Sequence, residues 1–141
     1  MLKLKRIDNL DILTRKVEPL VAFYHDLLGL PFLLPYMPDE GWAALDAGNL
    51  TIYVFQSDVG EHEARRTAVN PENPPGFDSI AFEVDDLDDA LAELDGRVEW
   101  AHPDVIRWEH PSGTWYRYRP FYDPDGNMMY VTEPHVARAI T

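Results

Sequence analysis

Two carboxylates lie in short apolar segments of this sequence, with polar neighbours at strand-like spacing. Asp11 follows Asn9 by two positions, and Glu83 follows Ser79 by four positions. If both segments are β-strands, residues two or four apart point to the same face, so each carboxylate shares a face with its polar neighbour. A carboxylate in such a place binds a cationic group or acts as a general base. Which of these it does depends on the elements that position it.

The segments that carry the carboxylates look like two copies of one unit. The run Ile7–Ile12 and the helix-like stretch that reaches Tyr24 match the run Phe77–Phe82 and the stretch that reaches Leu94. The offset between the copies is constant at 70 residues, as it is from Tyr24 to Leu94. A duplicated strand-then-helix unit predicts a pseudo-symmetric domain whose site lies where the copies meet.

Length, composition and charge limit the class of protein. The chain has 141 residues, of which 45% are hydrophobic and 26% charged, so it has the composition of a globular domain. Its net charge of −13 argues against nucleic acid or an anionic membrane as a partner. This charge serves solubility or attracts a cationic ligand to a cleft. Because no cysteine, signal-like segment or long apolar run occurs, we predict a cytoplasmic protein without disulfides or thiolate metal sites.

Hydrophobic periodicity predicts the elements of the first copy. A strand is expected over Leu2–Leu13, and a helix is expected to begin at Glu18-Pro19, since proline and an acidic residue suit the first turn. Gly29 is expected to end this helix. Two further strands, joined by a turn, are predicted over Trp42–Leu45 and Leu50–Phe55.

The second copy shows the same order of elements. A helix with an N-cap from Asp85-Asp86 is predicted after the strand Ile80–Val84. Further strands are predicted over 98–100, 105–108, 115–122 and 128–132, the last two joined by the turn Asp123–Asn127. Aromatic and basic residues alternate in 115–119, and we expect these arginines to pair with carboxylates. We predict one domain, 1–141, with a first module over about 1–57, a linker over about 58–76 and a second module over about 77–135.

Three motifs give the sequence a family resemblance. They are Ala22-Phe23-Tyr24 with Leu28-Gly29-Leu30, the strand and helix start Ile80–Leu87, and the turn Asp123–Asn127. In this order and spacing they resemble the vicinal oxygen chelate superfamily, which includes glyoxalase I, the bleomycin resistance proteins and the extradiol dioxygenases. The resemblance covers nearly the whole chain. It implies an α+β fold of two tandem βαβββ modules that form an open barrel-like cleft, and it implies a homodimer.

The metal-ligand positions of this family carry other residues here. The metalloenzymes of the family use a histidine on the first strand and a glutamate on the last strand of each module. The matching positions are Asn9 and Tyr53 in the first module and Ser79 and Tyr130 in the second. A neutral amide, a hydroxyl and two phenols are poor ligands for a divalent catalytic metal. We therefore predict that the protein uses no metal and no other cofactor.

Neither a shift in register nor the histidines restores a metal site. A shift of one residue would bring in Asp8 and Asp78, but it would turn them to the opposite face. The five histidines are too widely spaced for a predicted metal pair, and the weak best alternative is Glu61-His62-Glu63.

The resemblance also predicts which side chains line the cleft. With Asn9 and Ser79 turned towards it, strand alternation turns Asp11 and Glu83 the same way. Aromatic walls with a few polar groups suit a flat or conjugated ligand. The predicted ligand-binding residues are Asn9, Asp11, Tyr53, Phe55, Ser79, Glu83 and Tyr130. In the alternative interpretation, Tyr53 and Tyr130 fill the core and form hydrogen bonds with Asn9 and Ser79.

The functional hypotheses follow from this cleft. The first is a metal-free protein, similar to the bleomycin-resistance branch, that sequesters a small aromatic or cationic compound such as an antibiotic. The second is a metal-independent isomerase, lyase or cyclase in which Asp11 or Glu83 is the catalytic general base. The family default, a metal-dependent lyase or dioxygenase, is a third. A structural or partner-binding role also stays open, because a fold does not dictate function.

Overall fold

The computed structural model describes residues 2–59 and 65–137. The chain forms two compact units, Met1–His62 and Glu63–Thr141, and each unit contains one β-sheet and one main helix. The α+β fold with two modules of the βαβββ type is therefore confirmed. The exact limits of the modules and the linker stay predictions. None of the helices in the described ranges is long and apolar enough to cross a membrane.

The first unit follows the order strand, helix, three strands. The elements are β1 (Asn9–Thr14), α1 (Val17–Ala22, continued by a π-helical segment Phe23–Leu27), β2 (Phe32–Leu34), β3 (Ala43–Asp46) and β4 (Thr51–Gln56). In the sheet, whose order is β1-β4-β3-β2, β1 is parallel to β4 and the other neighbours are antiparallel.

The apolar faces of α1 and the first sheet form the core of this unit. Leu20 and Tyr24 of the helical stretch are almost fully buried, as are Ile52 and Val54 of β4. Gly29 follows the π-helical segment with φ +76°, as expected of a residue that ends a helix. The predicted helix is therefore confirmed, although its last turn is π-helical rather than α-helical.

One strand of this unit was predicted with the wrong start, and another was not predicted. The strand expected from Leu2 begins only at Asn9, because β4 begins at Thr51, the residue with which Asn9 pairs. Leu2 and Leu4 have no neighbouring strand and are exposed. The short strand β2 was not predicted, and its pairing with β3 is irregular.

The second unit repeats the plan with one strand divided in two. The elements are β5 (Ile80–Glu83), α2 (Leu87–Leu94), β6 (Glu99–Trp100), β7 (Ile106–Glu109), β8 (Trp115–Tyr122) and β9 (Met128–His135). Strand β5 is parallel to β9, and β9 is antiparallel to β8. Strands β6 and β7 pair with opposite ends of β8 and so share one edge.

Local side-chain hydrogen bonds confirm two sequence predictions in this unit. The Asp86 carboxylate accepts a hydrogen bond from the Asp89 N–H at 3.1 Å, which caps α2. In the turn before β9, Asp123 Oδ1 accepts from the N–H groups of Asp125 and Asn127, both at 2.9 Å. Gly126 completes this turn with φ +83°.

A buried carboxylate joins α2 to the second sheet. Glu133 Oε2 accepts hydrogen bonds from the Leu87 N–H at 2.8 Å and from Arg117 at 3.0 Å. Glu133 Oε1 lies 3.1 Å from Arg117 Nε and 2.7 Å from His135 Nε2. Hydrogen bonds from Arg117, then from Leu87 and His135, lower the pKa of Glu133 to about 2. This network lies on the face of β8 and β9 that is turned towards α2. Other residues occupy the opposite face of the two strands.

Candidate ligand-binding site

A cavity of about 300 Å³ opens on the second sheet, on the face that alternates with the Glu133 network. Glu133 points to the helix side of β9, so its neighbours Tyr130 and Thr132, at odd separations from it, point to the other side. The cavity is lined by Ala81, Trp108, Tyr116, Tyr118, Tyr130 and Thr132.

Strand register brings these residues together from four strands. Trp108 of β7 pairs with Tyr116 of β8. Tyr118 of β8 pairs with Thr132 of β9. On the far side of β9, Ala81 of β5 pairs with Tyr130, which completes the set. A continuous face of four strands therefore supplies the walls and floor of the cavity.

The aromatic rings lean towards one another without stacking flat. The ring centroids of Trp108 and Tyr116 are 5.5 Å apart with the planes inclined by 48°. Those of Tyr118 and Tyr130 are 4.9 Å apart with the planes inclined by 43°. Ala81 carries only a methyl group beside Tyr130, which leaves space between the larger side chains.

The hydroxyl of Thr132 is a polar atom without a partner at this site. Thr132 is only 8% exposed, and within the described ranges its Oγ1 is the buried side-chain polar atom without a hydrogen bond. A buried hydroxyl without a partner costs about 1–3 kcal/mol. Such a group gains a partner when a ligand or a water molecule enters the cavity.

Two tyrosines of the cavity stay neutral at physiological pH. Burial raises the pKa of Tyr130, and the negative charge of Asp78 and the nearby phenol of Tyr116 add to this effect. Burial also raises the pKa of Tyr118, with a smaller contribution from Tyr130. These phenols therefore act as hydrogen-bond donors and apolar surfaces, and not as bases.

The arginines of β8 lie on the opposite face from the cavity. Arg117 pairs with Glu133 and with Asp88, at 3.2 Å from Asp88 Oδ1, which confirms the expected pairing with carboxylates. For Arg119 that prediction is wrong, because its guanidinium donates to the backbone carbonyls of His102 and Pro103 and lies over the Trp100 ring. The cavity consequently has no basic side chain in its lining.

The predicted site residues of the first module lie together on the first sheet. The Tyr53 and Phe55 rings stack with centroids 5.7 Å apart and planes inclined by 6°. The ring centroid of Trp42 is 6.2 Å from that of Tyr53 and 5.9 Å from that of Phe55. Asn9 Nδ2 donates to Asp11 Oδ1 at 2.8 Å, and both residues are exposed. Trp42, Tyr53 and Phe55 thus form an aromatic cluster on the first sheet.

In the second module only Tyr130 of the predicted residues lines the cavity. Glu83 is exposed on the same strand as Ala81, with Thr132 as its cross-strand partner. Ser79 is also exposed, and its hydroxyl lies 3.5 Å from Asp78 Oδ2. The structure thus gives Asn9 and Ser79 carboxylate neighbours, and the alternative in which they bond Tyr53 and Tyr130 is not supported.

The sequence interpretation missed the rings contributed by β7 and β8. Trp108, Tyr116 and Tyr118 are not among the predicted ligand-binding residues. The alternation in 115–119 was visible, and it correctly indicated a strand with aromatic residues on one face. The position of β7 beside β8, which adds Trp108 to that face, depends on a register that periodicity does not reveal.

The residues at the family's metal positions do not fit a divalent catalytic metal. Asn9 and Ser79 offer neutral oxygens, and the Tyr130 phenol is kept protonated by its raised pKa. Across residues 2–59 and 65–137, no three or more histidine and acidic side chains are grouped so that they could hold a metal ion.

The histidines of the described ranges make separate local contacts. His25 contacts the Leu30 carbonyl, His102 the Asp104 backbone, His110 the Ser112 side chain and His135 the Glu133 carboxylate. The segment Glu61-His62-Glu63 lies outside the described residues.

The sequence profile of the Glyoxalase/Bleomycin resistance protein/Dioxygenase superfamily matches residues 6–131. This protein belongs to that superfamily, and the resemblance drawn from its motifs is confirmed. No curated protein matches the chain.

Solved structures share the fold at low sequence identity. An integron cassette protein from V. cholerae is 22% identical, with a TM-score of 0.66 and coverage of 94% of this chain and 98% of that one. A lactoylglutathione lyase from Agrobacterium tumefaciens is 22% identical, with a TM-score of 0.62 and coverage of 93% and 95%. A glyoxalase/dioxygenase from Nostoc punctiforme is 20% identical, with a TM-score of 0.69 and coverage of 94% and 92%. At this level the likeness is one of fold.

Proposed function

We propose that this protein binds a small aromatic or cationic organic compound in the cavity of its second module, without the metal used by enzymes of its superfamily. The observation that carries the proposal is the cavity itself. Four aromatic side chains surround about 300 Å³, and the Thr132 hydroxyl lies among them without a partner. Aromatic walls with one or two placed polar groups are typical of small-molecule sites.

The size and chemistry of the cavity define the ligand class. Its volume is at the lower end of the range of about 300–1,000 Å³ found for ligand pockets, which suits a compound of one or two rings. Apolar burial and contact with ring faces would supply most of the binding free energy. The protonated phenols of Tyr118 and Tyr130 and the hydroxyl of Thr132 would orient polar substituents.

The structure favours binding over metal-independent catalysis. A carboxylate becomes an effective general base at neutral pH when a dry cleft surrounds it. Asp11 and Glu83, the predicted bases, are both exposed, and Asp11 accepts a hydrogen bond from Asn9. Neither carboxylate belongs to the lining of the aromatic cavity.

The cytoplasmic location and the homodimer stay predictions, and sedimentation analysis tests the latter.

Calorimetric titration in EDTA tests the proposal. Two probes are used, indole as a neutral aromatic and benzyltrimethylammonium as a cationic one. We expect at least one of them to bind, and we expect Tyr130→Leu to weaken that binding while the circular dichroism spectrum is unchanged. Absence of binding by both probes, or binding that appears only when a divalent metal is added, would overturn the proposal.

A further inference from the structure

We propose that the cavity of the second module is an aromatic cage for a quaternary ammonium group, and that it discriminates by charge between this cation and a neutral group of the same shape. This inference rests on the proposed function and narrows its ligand class. The cage consists of Trp108, Tyr116, Tyr118 and Tyr130.

The rings of the cage line one cavity and are inclined to one another. Trp108 and Tyr116 come from neighbouring strands, and Tyr118 and Tyr130 are inclined to one another across the next pair. The face of an aromatic ring is electron-rich and attracts a cation within about 6 Å of its centroid. Several rings around one methylated ammonium give additive contacts of this kind.

Three arginines of the described ranges lie over aromatic rings outside the cage. Arg65 lies over Tyr122 with its guanidinium carbon 4.4 Å from the ring centroid. Arg107 and Arg119 lie over Trp115 and Trp100, each at 4.0 Å. All the cation–π contacts found in the described ranges therefore use rings outside the cage. Within the described ranges no arginine lies over a cage ring, and Trp108 also contacts the His110 ring, with the centroids 5.9 Å apart.

The charge around the cage has the sign that a cation needs. No lysine or arginine is in its lining. Glu83 lies on β5 beside Thr132. The negative charge of Asp78 also acts on Tyr130, although an ion pair with Arg66 at 3.6 Å offsets part of it. With a net charge of −13, the protein as a whole also attracts cations.

The lining favours a quaternary ammonium over a primary one. A primary ammonium loses hydration when it is buried, and this cost is offset only where acceptors receive its N–H groups. No carboxylate lines the cage; its polar atoms are phenol and threonine hydroxyls and the indole N–H. A quaternary ammonium has no N–H group to satisfy. Its methyl groups contact the rings, and a hydroxyl substituent could partner Thr132 Oγ1.

A matched pair of probes tests the inference. Choline and 3,3-dimethylbutan-1-ol have the same shape, but the second replaces the charged nitrogen with carbon. Their affinities are measured by calorimetric titration at constant ionic strength, with sodium chloride as the control for charge alone. Since the alcohol cannot form cation–π contacts, we expect choline to bind about tenfold more tightly than the alcohol.

Variants of the most exposed cage residue assign the selectivity to the rings. Trp108 is 46% exposed, so its replacement should leave the fold intact. Trp108→Leu should reduce the ratio of choline to alcohol affinity several-fold, whereas Trp108→Phe, which keeps a ring, should retain most of it. Circular dichroism verifies that both variants fold.

The possible results separate this inference from the proposed function. Equal affinities for choline and the alcohol would overturn the charge selectivity and leave binding in the cavity standing. If indole binds but choline does not, the charge selectivity is also overturned, and binding in the cavity stands. A preference for choline that Trp108→Leu does not change would place the cation elsewhere and overturn the cage. If none of the probes binds, both the inference and the proposed function are wrong.

Discussion

The two sheets place a tyrosine on the last strand of each module, but they set it beside different residues. In the first sheet Tyr53 pairs with Asp11 of β1, and in the second Tyr130 pairs with Ala81 of β5. The carboxylate of Asp11 accepts a hydrogen bond from the Asn9 amide, and the Tyr53 ring stacks on the Phe55 ring. The methyl group of Ala81 leaves room, and rings from β7 and β8 surround it. One duplicated plan thus gives a stacked aromatic cluster in one copy and an aromatic-lined cavity in the other.

The helix sides of the two sheets differ as well. Beneath the first sheet, α1 buries Val17, Leu20 and Val21, which form an apolar contact. Beneath the second sheet, Glu133 accepts a hydrogen bond from the backbone N–H of Leu87, the first residue of α2, and another from Arg117. A buried carboxylate bound at both oxygens fixes β9 in one position. The sheet with the cavity is therefore the one with an ionic support behind it.

Filling the cavity should have the largest effect on binding. Ala81→Leu adds three carbon atoms beside Tyr130, and we expect it to weaken the binding of benzyltrimethylammonium by about tenfold or more, because the space of the ligand is taken. Ala92→Leu, the same change on the exposed surface of α2, is the control and should leave affinity unchanged. Calorimetric titration measures both. Equal affinity in Ala81→Leu and the original protein would argue against the cavity.

Tyrosine replacements compare the two faces directly. Tyr53→Leu removes a stacked pair with Phe55, and we expect it to lower the free energy of unfolding by about 1 kcal/mol with little change in affinity. For Tyr130→Leu we expect the opposite: the larger effect is on ligand affinity, and the smaller effect is on the free energy of unfolding. Urea unfolding and titration measure the two quantities. A loss of binding in Tyr53→Leu as large as in Tyr130→Leu would show that both faces serve the ligand.

The ionic support of the second sheet should appear as sensitivity to acid. The pKa of Glu133 is about 2 in the folded protein and near 4.5 when the chain is unfolded, so its stabilising contribution is complete above pH 4.5 and is lost as the pH falls towards 2. Glu133→Gln should lower the melting temperature at pH 7. Between pH 4.5 and 2 the melting temperature of this variant should decrease less than that of the original protein. Glu93→Gln, which removes an exposed pair with Arg97, should change little. Identical pH profiles for Glu133→Gln and the original protein would contradict the role assigned to Glu133.

The fold could be predicted from the sequence because its signals are local or repeated. The duplication, the cap at Asp86 and the turn at Asp123–Asn127 each depend on residues close together in the chain. Alternation also separated the faces correctly, so Tyr130 was assigned to the side on which the cavity lies.

The cavity itself could not be predicted, since it depends on pairing between distant strands. Trp108 joins the site because β7 pairs with the end of β8 that carries Tyr116, and no periodicity specifies that register. The difference between Asp11 and Ala81 was visible in the sequence, but its consequence depends on rings contributed by other strands. The contacts of Arg119 were missed for the same reason, because its partners His102 and Pro103 lie in a loop.

A nuclear magnetic resonance titration with benzyltrimethylammonium distinguishes the two faces in one measurement. Backbone amide shifts are followed in both modules as the probe is added in EDTA. If the second module holds the ligand, the largest changes occur at Ala81, Tyr118 and Thr132, with small changes at Ala44 and Phe55 of the first sheet. The largest changes at Ala44 and Phe55, or no changes in either sheet, would contradict this assignment.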